Sequence, residues 1–170
     1  RLVGSEMCIR DRRTAYASLH PVISGNTDVV AVVNPRHLER VEGYIEDARQ
    51  LGARIESLPQ DLPVSTGERR RPLRLVIDPP AQSRIMAEEI FGPALVLLGY
   101  DELARVIADI NQRPRPLALY WFGEDAGEQR QVLEHTLSGG VTVNEVMLHA
   151  AMHDAPFGGV GASGMGHYHG

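Results

Sequence analysis

The feature that most constrains this 170-residue chain is a glycine-rich segment close to its C-terminus. Five glycines fall within the nine residues from Gly158 to Gly166, and Pro156-Phe157 stands directly before them. Such a segment cannot continue as a regular helix or strand, because glycine weakens both and adopts positive φ readily. The spacing therefore predicts a loop that turns sharply and packs its backbone closely around a pocket wall.

Within this segment, residues 159–164 match the G-x-G-x-x-G fingerprint of dinucleotide-binding proteins. That fingerprint requires a strand before it, a helix after it and an acidic residue about 20 residues further on. Here Pro156-Phe157-Gly158 precedes the match, and more glycine follows it as far as Gly170. We therefore interpret the match as coincidental and predict no phosphate-binding site there.

The rest of the chain alternates between strand-like and helix-like patterns. Apolar runs predict strands at 73–77, 94–98, 117–122 and 141–143, and a buried strand or extended segment at 29–33. Helical spacing predicts three helices, which start at Asn34-Pro35, Asp101 and Asp125 and end near Gly52, Pro114 and Gly139-Gly140. This alternation predicts an α/β fold with a largely parallel sheet flanked by helices.

A second signature, Glu88-Glu89-Ile90-Phe91-Gly92-Pro93, joins two carboxylates to an aromatic ring. Adjacent acids point in different directions, so one can face a pocket while the other meets solvent or a structural partner. Phe91 follows Glu89 by two residues and would lie on the same side of an extended segment. The pattern fits a carboxylate that accepts ribose hydroxyls beside a ring that packs a nicotinamide. A turn into a strand, with a core phenylalanine, is the alternative.

Composition disfavours several classes of function. The net charge of -5 argues against a nucleic-acid partner, and the basic run Arg69-Arg70-Arg71 is predicted to be a solvated loop. No apolar run approaches the ~18 residues of a membrane span, and no secretory signal is present. The single cysteine excludes an internal disulfide and fits a reducing compartment, so we expect a cytoplasmic protein.

Clustered histidines raise the alternative of a metal site. His149 and His153 are four residues apart, and His167 and His169 follow. The chain has no H-E-x-x-H motif, and no cysteine lies near these histidines. We therefore predict no metal site and keep a metal-binding module as an alternative. We expect His20, His37 and His135 to be ordinary surface or helix residues.

Taken together and in this order, the two signatures resemble the C-terminal part of the catalytic domain of NAD(P)-dependent aldehyde dehydrogenases. The strings Arg115–Tyr120 and Ser138–Asn144 are similar to that family as well. The resemblance covers residues 13–170, which is only part of a typical member. Within the family, residues 19–26, 110–116 and 154–157 of this chain are most similar to the coniferyl-aldehyde dehydrogenases.

The resemblance implies roles for particular residues. Glu89 would hold the nicotinamide ribose of NAD or NADP, and Phe91 would pack against the same cofactor. Phe157 would line the substrate tunnel, with His169 near its mouth. Asn144, which is polar and stands at a strand end, is expected to support the pocket wall. The full-length form would be a homo-oligomer that oxidises an aldehyde, coniferyl or a similar aromatic one, to its acid through a Cys thiohemiacetal.

The resemblance also implies that the catalytic cysteine, glutamate and asparagine lie outside this chain, together with the nucleotide-binding domain. Cys8 does not stand in the Gly-Gln-x-Cys context of the family nucleophile, and it lies too close in sequence to Asn34. Residues 1–12 resemble a translated adapter remnant, so we expect a non-native start followed by a partial catalytic domain at 13–170. We expect this fragment alone to be inactive. A non-catalytic oligomerisation module of the same fold is a further alternative.

Overall fold

The computed structural model describes the backbone of residues 2–59 and 67–169 and the side chains of residues 10–59 and 67–169. The described chain divides into two units, residues 1–99 and residues 100–170. Each unit is described below by itself.

The first unit contains two long helices and a three-stranded sheet. In chain order its elements are α1 (Leu2–Leu19), α2 (Pro35–Gln50), β1 (Arg54–Leu58), β2 (Leu73–Ile77), a 3-10 turn (Arg84–Met86) and β3 (Ala94–Leu97). The strand order is β1-β2-β3, with β1 antiparallel and β3 parallel to β2. Strand β2 is central, and its Leu75 and Val76 are fully buried.

Helix α2 is the main support of this sheet. It begins where predicted, because the Asn34 side chain accepts a hydrogen bond of 2.8 Å from the His37 N–H and Pro35 occupies the first turn. Its apolar residues recur at helical spacing and form one buried face with Val76 and Ile85; they are Val41, Tyr44, Ile45 and Ala48. The helix ends at Gln50, and Gly52 follows the cap with φ of +102°.

The second unit alternates helices with a two-stranded parallel sheet. Its elements are α3 (Leu103–Gln112), β4 (Ala118–Trp121), α4 (Ala126–His135), β5 (Gly140–Val143), α5 (Leu148–Ala151) and a 3-10 turn (Gly161–Ser163). The Asp125 carboxylate caps α4 by accepting hydrogen bonds from the N–H groups of Gly127 and Glu128, at 2.8 and 2.9 Å. Helix α3 starts one residue later than predicted, with Glu102 rather than Asp101 at its N-cap.

The predicted α/β class is confirmed, and two of the three strand pairings among the described residues are parallel. Strand β1 was not predicted, because Arg54–Leu58 has only two apolar residues, Ile55 and Leu58, and contains neither an apolar run nor a strict alternation. Helix α4 ends at a Thr136 cap rather than at Gly139-Gly140, where Gly140 instead opens β5. Helix α1 covers the proposed non-native residues 1–12 from Leu2 onward, and their origin stays a prediction.

The valine run at 29–33 is not a strand but an irregular segment held by arginines. Val29 and Val32 are buried, whereas Val30 is 87% exposed. The Arg70 guanidinium donates to the Val29 carbonyl at 2.9 Å, and that of Arg69 donates to the carbonyls of Val32 and Val33. The basic run does lie in a loop, as predicted, but its side chains are not simply solvated, since the guanidiniums of Arg69 and Arg70 satisfy backbone carbonyls that no strand pairs.

Glu68 fixes the neighbouring segment in a similar way. Its carboxylate accepts hydrogen bonds from the Ser24 hydroxyl at 2.6 Å and from the Gly25 N–H at 2.9 Å. The Ser24 hydrogen bond is the main cause that lowers the pKa of Glu68 below its ordinary value, because it favours the ionised form. The segment around Ser24 is thereby tied to the residues that precede β2.

No helix in the described part of the chain is both long and apolar enough to span a bilayer.

The contact between Gly92 and α2 yields a test of this packing. A Cβ at Gly92 would lie 2.8 Å from Val41 Cγ2, and Val41 is only 2% exposed. We expect Gly92→Ala to lower the free energy of unfolding by about 1–3 kcal/mol through overpacking. Urea unfolding followed by circular dichroism measures this change.

Gly43→Ala is the matched control for Gly92→Ala. Gly43 lies inside α2, and an added Cβ would meet nothing within 4 Å. We expect this change to stabilise the protein by up to about 1 kcal/mol, because alanine is the better helix former. A Gly92→Ala protein as stable as the wild type would contradict the close contact between the loop and α2.

Candidate functional site

The loop from Glu88 to Pro93 connects the 3-10 turn to β3 without regular structure. It is not extended as predicted, because Phe91 adopts φ of +48° in the left-handed region. That conformation costs a non-glycine residue roughly 1–2 kcal/mol. The Phe91 ring is nevertheless 66% exposed, so burial of the ring does not offset this cost. Other contacts must hold the loop in place.

Helix α2 supplies these contacts through the loop's main chain. The Arg40 guanidinium donates hydrogen bonds of 2.9 Å to the carbonyls of Glu89 and Ile90. The Phe91 carbonyl lies 2.9 Å from His37 Nε2. The His37 ring also lies beside the Arg40 guanidinium, with Nδ1 3.4 Å from Arg40 Nε and Nε2 3.0 Å from an Arg40 terminal nitrogen. Three successive carbonyls of the loop therefore lie within hydrogen-bond distance of α2 side chains.

The two adjacent acids of the loop have different surroundings. The Glu88 carboxylate accepts a short hydrogen bond from the Tyr44 hydroxyl of α2. The Glu89 side chain is exposed and has no hydrogen-bond partner among the described residues. One acid therefore meets a structural partner while its neighbour faces outward. The Glu89 carboxylate and the Phe91 ring are each exposed on this loop, and these two chemical types suit a sugar hydroxyl and a flat heterocycle respectively.

The glycine-rich segment of the second unit folds back on itself. Phe157 and Tyr168 form an antiparallel bridge, with N–H to carbonyl distances of 3.0 and 2.6 Å. A Cβ at Gly159 would lie 2.2 Å from the Ser163 carbonyl oxygen, and Gly164 has φ of +155°. The predicted close backbone packing and positive φ are confirmed. The G-x-G-x-x-G match at 159–164 itself contains a 3-10 turn, Gly161–Ser163, and residues 165–169 after it do not form the helix that the fingerprint requires.

An open depression of about 400 Å³ lies beside this segment, and Phe157 forms part of its wall. Phe157 also stacks on His169 with ring centroids 6.5 Å apart, and it lies 5.6 Å from the His149 ring. His169 has φ of +45°, and its Nδ1 lies 3.2 Å from the Ala155 carbonyl. The structure thus brings Phe157 and His169 together within an aromatic cluster that also contains Tyr120, His149, His153 and Tyr168.

Asn144 is not among the residues that line the depression. It follows β5 with φ of +55°, and its N–H donates to the Trp121 carbonyl at 2.7 Å. Its side-chain amide accepts from the Gly123 N–H at 2.9 Å and donates to the Gly123 carbonyl at 3.1 Å. Asn144 therefore continues the pairing of β4 and β5 beyond the strand ends, which is a scaffold geometry.

The clustered histidines make aromatic and hydroxyl contacts. His149 Nδ1 lies 3.3 Å from the Thr142 hydroxyl, and the His153 and His169 rings are 5.4 Å apart. Among the described side chains, no group of three or more His, Cys, Asp or Glu could hold a metal ion. The side chain of Cys8 lies outside the described part of the chain.

Sequence reasoning missed the anchoring role of α2. His37 was expected to be an ordinary surface or helix residue; it does lie on α2, but its Nε2 is 2.9 Å from the Phe91 carbonyl and its ring lies edge-on to the Phe91 ring at 5.7 Å. His37, Arg40 and Tyr44 are spaced i, i+3 and i+7, so they share one face of the helix. That spacing could have revealed the contact from sequence. A polar stripe that adjoins the buried face of a helix indicates that the stripe contacts another segment of the chain.

Comparisons with known proteins agree with the resemblance seen in the sequence. The family model "Aldehyde dehydrogenase family" matches residues 11–170. A probable coniferyl aldehyde dehydrogenase of Caulobacter vibrioides is 47% identical over 97% of this chain and 34% of its own length. A dimeric NADP-preferring aldehyde dehydrogenase of Canis lupus familiaris is 38% identical over 84% of this chain and 30% of its own length.

A solved structure gives the same result. The P. syringae indole-3-acetaldehyde dehydrogenase in complex with NAD+ and IAA superposes with a TM-score of 0.72 at 28% identity, covering 85% of this chain and 30% of that one. The chain thus spans about a third of the length of the relatives it matches. These comparisons give no support to a non-catalytic oligomerisation module or a metal-binding module.

The scaffold geometry of Asn144 can be tested by two substitutions. We expect Asn144→Ala to lower the free energy of unfolding by roughly 2–4 kcal/mol, because two hydrogen bonds are lost and alanine is strained at positive φ. Asn144→Gly loses the same hydrogen bonds without the strain, so it should be about 1 kcal/mol less destabilising than Asn144→Ala. Chemical denaturation of both variants measures the difference, and an unchanged Asn144→Ala protein would contradict the scaffold geometry.

Proposed function

The chain belongs to the aldehyde dehydrogenase family, and we propose that it forms part of an enzyme that oxidises an aldehyde to its carboxylic acid with NAD or NADP. This function is a proposal because the chain spans only about a third of the relatives it matches. The family itself rests on the match over residues 11–170.

The observation that carries the proposal is the conformation of the loop from Glu88 to Phe91. Its carbonyls are bonded to α2, whereas the Glu89 carboxylate and the Phe91 ring face outward. Glu89 would accept hydrogen bonds from the hydroxyls of the nicotinamide ribose, and Phe91 would pack against the nicotinamide ring. The cofactor held there would supply the hydride acceptor for the oxidation. Names of relatives support both cofactors, since one is NADP-preferring and one is in complex with NAD+.

Coniferyl aldehyde, or a similar aromatic aldehyde, is the substrate that we propose. The 47% identity to a probable coniferyl aldehyde dehydrogenase supports this choice. So does the aromatic cluster around Phe157 and His169, because stacked rings favour a flat aromatic ligand. In this proposal Phe157 lines the substrate tunnel, His169 stands near its mouth, and Asn144 supports the wall from behind.

The acyl chemistry requires groups that we do not assign to this chain. A cysteine thiolate would attack the aldehyde to give a thiohemiacetal, a glutamate would act as general base, and an asparagine would stabilise the oxyanion. The amide of Asn144 bonds to Gly123 through both its oxygen and its nitrogen, so we assign it to the scaffold rather than to the oxyanion site. The homo-oligomeric state of the full-length form and its cytoplasmic location remain predictions.

The first test compares this chain with its upstream extension. Extending the reading frame upstream of the Arg13 codon should reveal a Gly-Gln-x-Cys segment and a nucleotide-binding domain. We expect that longer protein to reduce NAD+ or NADP+ when coniferyl aldehyde is added, measured by absorbance, and the 170-residue chain alone to show no turnover. Turnover by the short chain, or a longer protein inactive with every aldehyde tested, would contradict the proposal.

The second test addresses Glu89. We expect Glu89→Gln in the longer protein to raise the KM for the cofactor about tenfold, or about 1.4 kcal/mol, because a neutral amide replaces a charge-assisted acceptor. Glu39→Gln is the control, since Glu39 is also an exposed acid of the first unit and lies on α2. The KM for the aldehyde should stay the same in both variants. Equal cofactor KM values for Glu89→Gln and Glu39→Gln would refute the role of Glu89.

A further inference from the structure

We propose that Arg40 is a positioning residue for the cofactor, which acts by fixing the main chain of the Glu89–Phe91 loop from behind. This inference rests on the proposed function, because it assumes that Glu89 and Phe91 contact the cofactor. Arg40 itself touches the carbonyl side of the loop, whereas the Glu89 side chain is exposed and Phe91 is 66% exposed, with one edge contact to the His37 ring.

The donor pattern of Arg40 shows how the loop is fixed. One terminal nitrogen donates to the Tyr44 hydroxyl at 2.7 Å and to the Glu89 carbonyl at 2.9 Å. The other donates to the Ile90 carbonyl at 2.9 Å. The guanidinium carbon also lies 4.9 Å from the centre of the Tyr44 ring. A single planar group therefore joins two successive carbonyls of the loop to a buried tyrosine of α2.

The loop has few other restraints on its main chain. Within the described residues, no backbone–backbone hydrogen bond involves Glu89, Ile90 or Phe91, and the β3 ladder begins only after them. The left-handed conformation of Phe91 is unfavourable in a free loop. The positions of the Glu89 carboxylate and the Phe91 ring therefore depend on Arg40 and on the His37 contact to the Phe91 carbonyl, while between them the Ile90 side chain packs against the core.

Lysine cannot replace this arginine fully. The two bonded carbonyls belong to adjacent residues and are reached by different nitrogens of one rigid fork. The donors of an ammonium group all sit on one nitrogen at the end of a flexible stem. Lysine would therefore hold one carbonyl less firmly and would not bond to the other. Arg40→Lys should therefore recover only part of what Arg40→Met loses.

The first arm of the test uses the 170-residue chain and needs no cofactor. Backbone 15N relaxation should give order parameters of about 0.85 at residues 89–91 in the wild type, and below about 0.6 in Arg40→Met. The amides of β2 should keep their values in both proteins. Arg36→Met is the matched control, since Arg36 is an exposed arginine one turn earlier on α2. Unchanged order parameters at 89–91 in Arg40→Met would overturn the inference.

The second arm uses the longer protein and measures cofactor binding without turnover. Titration with NAD+ or NADP+, followed by intrinsic fluorescence, should show a Kd at least tenfold higher for Arg40→Met, a smaller increase for Arg40→Lys and no change for Arg36→Met. The KM for the aldehyde should not follow this order. If Arg40→Met does not fold, the relaxation and titration experiments are made with Arg40→Lys, because lysine keeps the charge and most of the packing.

The outcomes separate the inference from the function on which it rests. A wild-type protein that binds neither cofactor would overturn the proposed function, whatever the relaxation data show. A wild-type protein that binds a cofactor while Arg40→Met binds it equally well would overturn the positioning role alone. A mobile loop together with weaker cofactor binding, and a partial recovery in Arg40→Lys, is the result expected.

Discussion

The attachment of one loop to helix α2 through its own carbonyls is the interaction on which the candidate cofactor site depends. The helix has two functions on adjoining faces. Its apolar face buries Val41, Tyr44 and Ile45 against the sheet, which fixes the helix. Its polar stripe then presents a guanidinium and an imidazole to the loop. The apolar packing is thus the precondition for the polar contacts, and Tyr44 takes part in both because its ring is buried while its hydroxyl reaches Glu88.

The regular elements could largely be predicted because periodicity and capping are local properties of the sequence. Asn34 and Asp125 cap helices as their residue types suggest, and four of the five strands follow apolar runs. Of the two alternatives for the valine run at 29–33, the buried strand was wrong, because the carbonyls of this segment are satisfied by Arg69 and Arg70, some 36 to 41 residues away. A pattern of five residues cannot reveal which distant donors will replace a neighbouring strand.

For the candidate cofactor site, the residue types of the Glu88–Phe91 loop could be interpreted from the sequence, but the conformation of the loop could not. The pair Glu88-Glu89 suggested that one acid would be structural and the other free, and the structure divides them in that way. The extended conformation assumed for Phe91 was wrong, because its positive φ is imposed by contacts with a helix about 50 residues earlier in the chain. Such strain persists only where surrounding contacts over-determine it, and these contacts come from tertiary structure.

The second unit differs from the first in how it is held together. Among the described residues it buries only two apolar side chains, Ile107 and Val132, while Phe122 is 60% and Tyr168 is 75% exposed. A two-stranded sheet of this size is marginal without further strands or a covering helix. Backbone contacts therefore stabilise much of the second unit. They lie in the glycine-rich segment and in the β4–β5 pairing that Asn144 extends. A thin core of this kind fits the proposal that the chain is one portion of a longer catalytic domain, in which additional strands would complete the sheet.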